Sequence, residues 1–358
     1  MDIKQAVLQG YSDRIAAADG AMGTEAAQVC RMNDHDPVLL RNVPQEIIAR
    51  DYGCGNPARF ARPGDVVLDL GSGSGKICYI LAQIAGPEGR VIGVDMNRDM
   101  LTLARRHQAG FAAATGLDNL RFAWGSIDDL ASDLEQVEAT VAGRRLEGLE
   151  DYAALQAALQ DQRQNAPLIA DASVDLVVSN CVINLVDTAS KDNVLKEIYR
   201  VLRPGGRIAL SDNVSNVEVP QELRDDPELW VGCYSGVYQE QAFYAALRRA
   251  GFTGLTVTER AAVPEKTIGE VTFQSVTVTA VKPLSAGRET GEAPEVHPVM
   301  YKGPWASVRD DAGTFLVSGE VTRVDAPTAQ RLRQEVFAGQ LHFLDDPAEP
   351  APAASCCG

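Results

Sequence analysis

From about Val66 the chain alternates short apolar runs with stretches of helical periodicity. VVLDL (66 to 70), RVIGV (90 to 94), LRFAWG (120 to 125), VDLVVS (174 to 179) and RIALSD (207 to 212) are brief and rich in β-branched residues. Strands covered on both faces have this composition, because neither face needs polar positions. Between them lie KICYILAQIAG, RDMLTLARRHQ and KDNVLKEIYRVL, each with apolar residues recurring at the spacing of one buried helix face. Such alternation predicts an α/β fold with a mostly parallel sheet and right-handed crossovers. Two later Val/Thr-rich runs, LTVTER (255 to 260) and FQSVTVTAV (273 to 281), have no strong helix between them, which predicts an antiparallel pair closing one sheet edge.

The flanks read differently. Residues 1 to 45 are expected to be a helical and loop extension, and 46 to 283 the main domain. Within it, LEQVEATV and YAALQAALQDQR make 131 to 170 a helical insertion. Residues 284 to 298 have linker composition, rich in Gly, Pro, Ser and charge. A small α+β domain is expected over 299 to 345, with short strands around a DAG turn and APTAQRLRQEVFAG as one helix. Residues 346 to 358, with DDPAEPAPAAS, read as a flexible tail ending in Cys356-Cys357-Gly358.

Composition narrows the class. A length of 358 residues suits two compact units, and 45% hydrophobic with 23% charged residues is ordinary globular usage. The formal net charge of -16 repels phosphate backbones and anionic lipid, so neither nucleic acid nor membrane is expected as a partner. No apolar window reaches the roughly 18 residues of a membrane helix, and Met1 to Gly20 lacks the apolar core of a signal peptide. The expectation is a soluble, cytoplasmic monomer. Seven cysteines, at 30, 54, 78, 181, 233, 356 and 357, are too dispersed for a secreted disulfide framework. None of the four histidines has zinc-site spacing, but a thiol-only site for a soft ion needs no histidine.

The clearest cofactor signal is Asp69-Leu-Gly71-Ser-Gly73-Ser-Gly75, a glycine-rich turn directly after a strand and opening a helix. A dinucleotide fingerprint would need Gly at 76, which is Lys76. Asp69 would also repel a pyrophosphate, whereas a cationic sulfonium with a methionine amino group suits it. Asp95, followed by Met96, ends the second strand about 20 residues on, where a carboxylate accepts hydrogen bonds from ribose hydroxyls. Ser126 and Ile127 follow the third strand, placed to flank an adenine. With the turn Leu202-Arg203-Pro204-Gly205-Gly206 and the antiparallel ending, residues 46 to 283 resemble the Rossmann-like class I S-adenosylmethionine methyltransferases.

Three cysteine contexts sharpen the likeness. DYGCGNP carries Cys54 before the first strand, SNCVINLV carries Cys181 at the carboxyl end of the fourth, and ELWVGCYSG carries Cys233 after the fifth. Ligands of such sheets bind beyond the carboxyl ends of strands, so Cys181 should face the cofactor. These stretches, with GEVTRVDAPTAQRLRQEVFAG and the terminal Cys-Cys-Gly, resemble the arsenite methyltransferase family. The resemblance implies S-adenosylmethionine as cofactor, a trivalent arsenic substrate bound by the thiolates of Cys54, Cys181 and Cys233, and a thiol reductant such as glutathione or thioredoxin. It offers Cys30 as a disulfide-exchanging partner of the neighbouring ligand cysteine, and Cys356 with Cys357 as a capture pair. Three soft thiolates would leave arsenic pyramidal, its lone pair free to attack the sulfonium methyl without a general base.

Blander readings stand beside these. Cys78, within ICYIL, reads as core. Tyr52 could stack on the sulfonium or staple its loop; Asn180 could bond cofactor or substrate, or form a turn. His107 reads as solvated. The competing functions are an O- or C-methyltransferase of small molecules, which would need a base, and a non-catalytic metalloid-binding protein on the same fold.

Overall fold

The computed structural model describes residues 3–16, 35–50, 52–145, 147–284, 296–335 and 337–345. They fall into two units, Met1–Lys282 and Pro283–Gly358.

In the first unit, β1 (Val66–Leu70), β2 (Arg90–Asp95), β3 (Leu120–Trp124), β4 (Val174–Asn180) and β5 (Leu202–Ser215) run parallel in the order β3-β2-β1-β4-β5. Both faces are covered, as the unbroken apolar runs require. Val67 and Leu176 pack with α2 (Lys76–Ala85) and α3 (Arg98–Arg106), whereas Leu68, Leu70 and Val177 pack with α7 (Lys191–Val201) and α8 (Glu240–Arg249). After β6 (Tyr238–Gln239), a short parallel addition to β5, the direction reverses. Strand β9 (Val271–Val281) is antiparallel to both β5 and β7 (Thr253–Arg260), with β8 (Lys266–Ile268) beside it. The expected antiparallel edge is therefore present, its later run lying inside and its earlier run outermost. This is the α/β architecture of class I methyltransferases.

Some elements depart from the pattern. β5 begins five positions earlier than a core strand of 207 to 212 would, because the Pro-Gly-Gly stretch is itself drawn into the sheet: Leu202 pairs with Val174, and Gly205 and Gly206 exchange hydrogen bonds with Lys282. It also runs on to Ser215 along β9. RDMLTLARRHQ stops at Arg106, and a further helix, α4 (Gln108–Thr115), follows. His107 at the junction is not solvated: it is part-buried, and its Nε2 hydrogen-bonds Glu46 at 2.9 Å. That bond, helped by Arg106 and Arg50, holds the Glu46 carboxyl below its usual range despite partial burial.

Between β3 and β4 the stretch 131–170 forms two helices, α5 (Leu134–Val141), capped by Asp133, and α6 (Leu149–Asn165), before Leu168 and Ile169 re-enter the core. At the other end of the unit, α1 (Ile3–Ala16) packs on α3 and on the short helix Pro227–Val231.

In the second unit β10 (Val296–Tyr301) begins inside the stretch expected as linker and pairs antiparallel with β13 (Val321–Asp325) and β14 (Leu341–Phe343). β11 (Ser307–Arg309) and β12 (Phe315–Val317) form a hairpin across the DAG turn. The expected single helix is shorter: α9 (Ala326–Leu332), capped by Asp325, ends where Gln334 and Glu335 turn to three-residue hydrogen bonds on Arg331 and Leu332. Tyr301, Leu316 and Leu332 fill this unit's own core. Among the described residues no helix is long and apolar enough to cross a membrane.

Candidate active site

The site lies at the carboxyl ends of β1, β2 and β4, where a doubly wound sheet opens a crevice. Gly71 and Ser72 turn sharply off β1 by donating backbone N–H bonds to Val94 O at 2.8 and 3.0 Å. Gly71 has φ +65°, and a Cβ there would meet Val182 at 2.4 Å, so the chain can follow this path only as glycine. The N–H of Gly73 donates to Asp95 Oδ2 at 2.8 Å, and the N–H of Asn97 to Asp95 Oδ1 at 2.8 Å. Burial pushes the Asp95 carboxyl up, and those N–H groups pull it back toward ionisation. Across the crevice, Ser126 donates its hydroxyl to Asp128, and Lys4 reaches Asp128 at 3.2 Å.

These residues enclose one pocket. Tyr52, Asp69, Gly71, Gly73, Asp95, Met96, Ser126, Ile127 and Asn180 all line it. Gly75 does not: at φ +93° it faces Phe122 and Ala104, letting α2 pack close on the sheet. Asp69 is buried at the pocket wall and accepts a hydrogen bond from Cys78 Sγ at 3.1 Å. Burial, then the charge of Asp69, raises the Cys78 thiol well above its ordinary value, so Cys78 is a protonated core residue. Asp69, Asp95 and Asp128 line the pocket with Lys4 and Arg50, a set with one more acid than base that suits a cationic ligand.

The roof was not anticipated from the pattern. Val7, Leu8 and Tyr11 of α1 cover the pocket. The helix is tied down by Asn97, whose amide donates to Leu8 O and Ser12 Oγ, both at 3.2 Å, and by Ser12 donating to Asp99 at 2.8 Å. The spacing of those three residues is the one signal in the sequence that could have marked the face.

Next to the pocket the three distant cysteines meet. Cys54, Cys181 and Cys233 form one buried cluster with Leu185 against it. Cys54 and Cys181 are joined by a disulfide, with Cα atoms 5.8 Å apart, and the Cys233 thiol donates to Cys181 O at 3.3 Å. Cys181 also lines the pocket. The Cys54–Cys181 pairing is a finding beyond the sequence reading, which offered Cys30 as exchange partner. Cys30, Cys356 and Cys357 lie outside the described residues. Asn180 makes its contacts with the Cys54 loop: its Oδ1 accepts the N–H groups of Cys54 and Gly55 at 2.8 and 2.9 Å, and its Nδ2 donates to Gly55 O at 2.9 Å. Tyr52 meets Tyr11 edge-to-face at 5.7 Å, and the Tyr11 hydroxyl lies 3.9 Å from Cys233 Sγ.

Known proteins share this arrangement. A family model described as a methyltransferase domain matches residues 61–251, more than half of the chain, and a domain of unknown function matches 289–357. The chain is 35% identical to an arsenite methyltransferase of Aquipseudomonas alcaligenes, over 86% of its own length and 81% of the relative's. It belongs to the arsenite methyltransferase family. The human arsenite methyltransferase is 31% identical, with 90% of this chain and 78% of the human one covered. The solved structure of an arsenic (III) S-adenosylmethionine methyltransferase from Chlamydomonas reinhardtii superposes with TM-score 0.57 at 28% identity, spanning 87% of this chain and 96% of that one. As in this family generally, the cofactor is S-adenosylmethionine, and an acidic pocket under a glycine-rich turn fits it.

Proposed function

We propose that the chain methylates trivalent arsenic held by the thiolates of Cys54, Cys181 and Cys233, using S-adenosylmethionine seated in the adjoining pocket. The observation that carries this reading is the cluster itself. Three cysteines separated by 127 and 52 residues of sequence share one buried spot at the pocket wall.

When bound, S-adenosylmethionine supplies an electrophilic methyl group on a sulfonium. Asp69 and the Gly71–Gly73 turn hold the methionine end, Asp95 the ribose, and Met96, Ser126 and Ile127 the adenine. Tyr52, backed by Tyr11, walls the sulfonium with aromatic surface. Asn180 fixes the Cys54 loop against the end of β4. Three thiolates would present the arsenic lone pair toward the methyl; the As–C bond would form as the S–CH3 bond breaks, its electrons staying on the sulfur of S-adenosylhomocysteine, and the arsenic, raised from the trivalent to the pentavalent level, would be returned by two electrons from a pair of thiols that close as a disulfide. No general base takes part, since arsenic carries no proton to remove. The residues' work is positioning and exclusion of water.

Two of the three sulfurs are bonded to each other, so they become ligands only after two electrons and two protons open the disulfide. A dithiol or two thiols, glutathione or thioredoxin, supply them and leave as a disulfide. We therefore place the chain in a reducing cytoplasm, as a monomer serving arsenic detoxification.

The test is to incubate purified protein with arsenite, S-adenosylmethionine and a thiol and to quantify methylated arsenicals. Turnover is expected only with thiol present, and Cys54→Ser, Cys181→Ser and Cys233→Ser should each abolish it. A fully active single serine variant would overturn the three-thiolate reading.

A further inference from the structure

Cys181 and Cys233 both have positive φ, +59° and +64°. Residues with a Cβ rarely adopt that region, and when they do the surroundings must over-determine the backbone.

Here the surroundings are a buried polar chain. Asn184 follows Cys181 by three residues on the turn Ile183–Leu185. Its side-chain amide donates to Asp212 Oδ1 and to Asn213 O, both at 2.7 Å, and its backbone N–H donates to Asp212 Oδ2 at 3.2 Å. Gly236 follows Cys233 by the same interval and presses against that turn, since a Cβ there would lie 2.1 Å from Asn184 O and 2.3 Å from the Trp230 ring. Lys191, at the start of α7, donates its ammonium to Gly236 O and sits 4.3 Å over the Tyr238 ring. The loop of one cysteine is thus hung from Asp212, that of the other from Lys191, and the two loops touch between them.

The arrangement is costly. Burial pushes the Asp212 carboxyl up to about 6 and pulls the Lys191 ammonium down to about 8, each opposed by the charge of the other. Apolar residues of similar volume commonly stabilise such a site as well or better. Stability alone therefore gives little reason for it.

We propose that Asn184, Asp212 and Lys191 are positioning residues that lock the Cys181 and Cys233 loops together and so set the sulfur separation at which trivalent arsenic is held. This rests on the three-thiolate reading above. None of the three lines the cofactor pocket itself, although Val182, Leu185 and Val186 beside Asn184 do, so the brace bears first on the two cysteine loops and only through that turn on the pocket wall.

The variants are Asn184→Ala, Lys191→Met and the pair Asp212→Ala and Asp212→Asn, the last keeping an acceptor for the Asn184 amide. Each reduced protein takes one equivalent of arsenite, and X-ray absorption counts its As–S bonds; kinetics and S-adenosylhomocysteine titration follow. Wild type should show three As–S bonds. The variants should show two, with kcat/KM for arsenite down roughly a hundredfold, as ångström-scale misplacement of a reacting group does, and with S-adenosylhomocysteine affinity unchanged. Asp212→Asn should recover most of what Asp212→Ala loses, which also answers for a poorly folding alanine variant. Three As–S bonds in every variant would overturn the brace alone, and so would a parallel loss of S-adenosylhomocysteine affinity. Fewer than three in wild type would instead bring down the cysteine reading, and the brace with it.

Discussion

Asn180 accepts the backbone N–H of Cys54 at 2.8 Å across 126 residues of chain, while its neighbour Cys181 is bonded to the same cysteine. The first contact survives reduction and the second does not, so Asn180 is what keeps the Cys54 loop in place once the thiols are free. Asn180→Ala would strand the N–H groups of Cys54 and Gly55 and the Gly55 carbonyl, at about 1–3 kcal/mol for each left unsatisfied. Arsenite turnover should fall more than the melting temperature of the oxidised protein, where the disulfide still pins the loop. Equal loss in both forms, measured by scanning calorimetry with and without thiol, would contradict this.

Gly71 and Gly73 both have positive φ, but only Gly71 is crowded, by Val182. Gly73→Ala should therefore cost about 1–2 kcal/mol, the left-handed penalty alone. Gly71→Ala should add an overpacking cost of about 1–3 kcal/mol. Denaturant midpoints of the two variants rank them, and Val182→Ala should partly rescue Gly71→Ala. The reverse ranking would be inconsistent with the crowding at Val182.

Tyr11→Ala removes an edge-to-face contact on Tyr52. Such pairs are worth about 0.5–1.5 kcal/mol, which translates to a several-fold weaker S-adenosylhomocysteine affinity by titration calorimetry. Lys4→Ala should change affinity less, because the lysine side chain of its pair with Asp128 is 44% exposed and such pairs contribute about 1 kcal/mol or less. If Lys4→Ala proved the more damaging, α1 would be held by charge and not by its apolar face.

In the second unit, burial and the charges of Asp311 and Asp310 push the Glu335 carboxyl from 4.5 up to about 7, with Arg331 opposing. The folded unit thus holds this proton more tightly than the unfolded chain does. Its stabilising effect is complete below about pH 4.5 and is lost as pH rises through about 7, a change of up to about 3 kcal/mol. Hydrogen exchange of β10 and α9 should therefore quicken between pH 5 and 8 beyond its intrinsic pH dependence, and Glu335→Gln should flatten that trend. An equally steep trend in the variant would assign it to another group.

Strands β1 and β4 were legible because they are buried along nearly their whole length, which writes an apolar run; β2 and β3 keep enough of that signature, although Arg90 and Arg121 are exposed. β5 was legible only in its middle: Asn213 and Ser215, past the expected end at 212, are polar yet buried, because β9 and their own hydrogen bonds satisfy them, and hydropathy is blind to partners. Family likeness singled out Cys54, Cys181 and Cys233, which the fold gathers into one cluster, but not which pair would bond. That depends on the distance between two loops 127 residues apart, a property of the folded sheet. The roof formed by α1 escaped notice for the same reason: its docking face is defined by Asn97, Asp99 and Val231, far along the chain. Gly75 lies off the pocket wall and against Phe122; a glycine that admits a ligand and one that admits a phenylalanine look alike in sequence.

The bond between Cys54 and Cys181 closes a loop that contains β1 through β4. In the chain-entropy picture a ring of that size restricts the unfolded chain by about 5 kcal/mol. Reduction surrenders this, so the form able to take up substrate is the less durable one. Arsenic bridging the same two sulfurs would restore the ring, and a third bond to Cys233 would add another, making the substrate an inorganic cross-link that tightens the protein for as long as it stays bound.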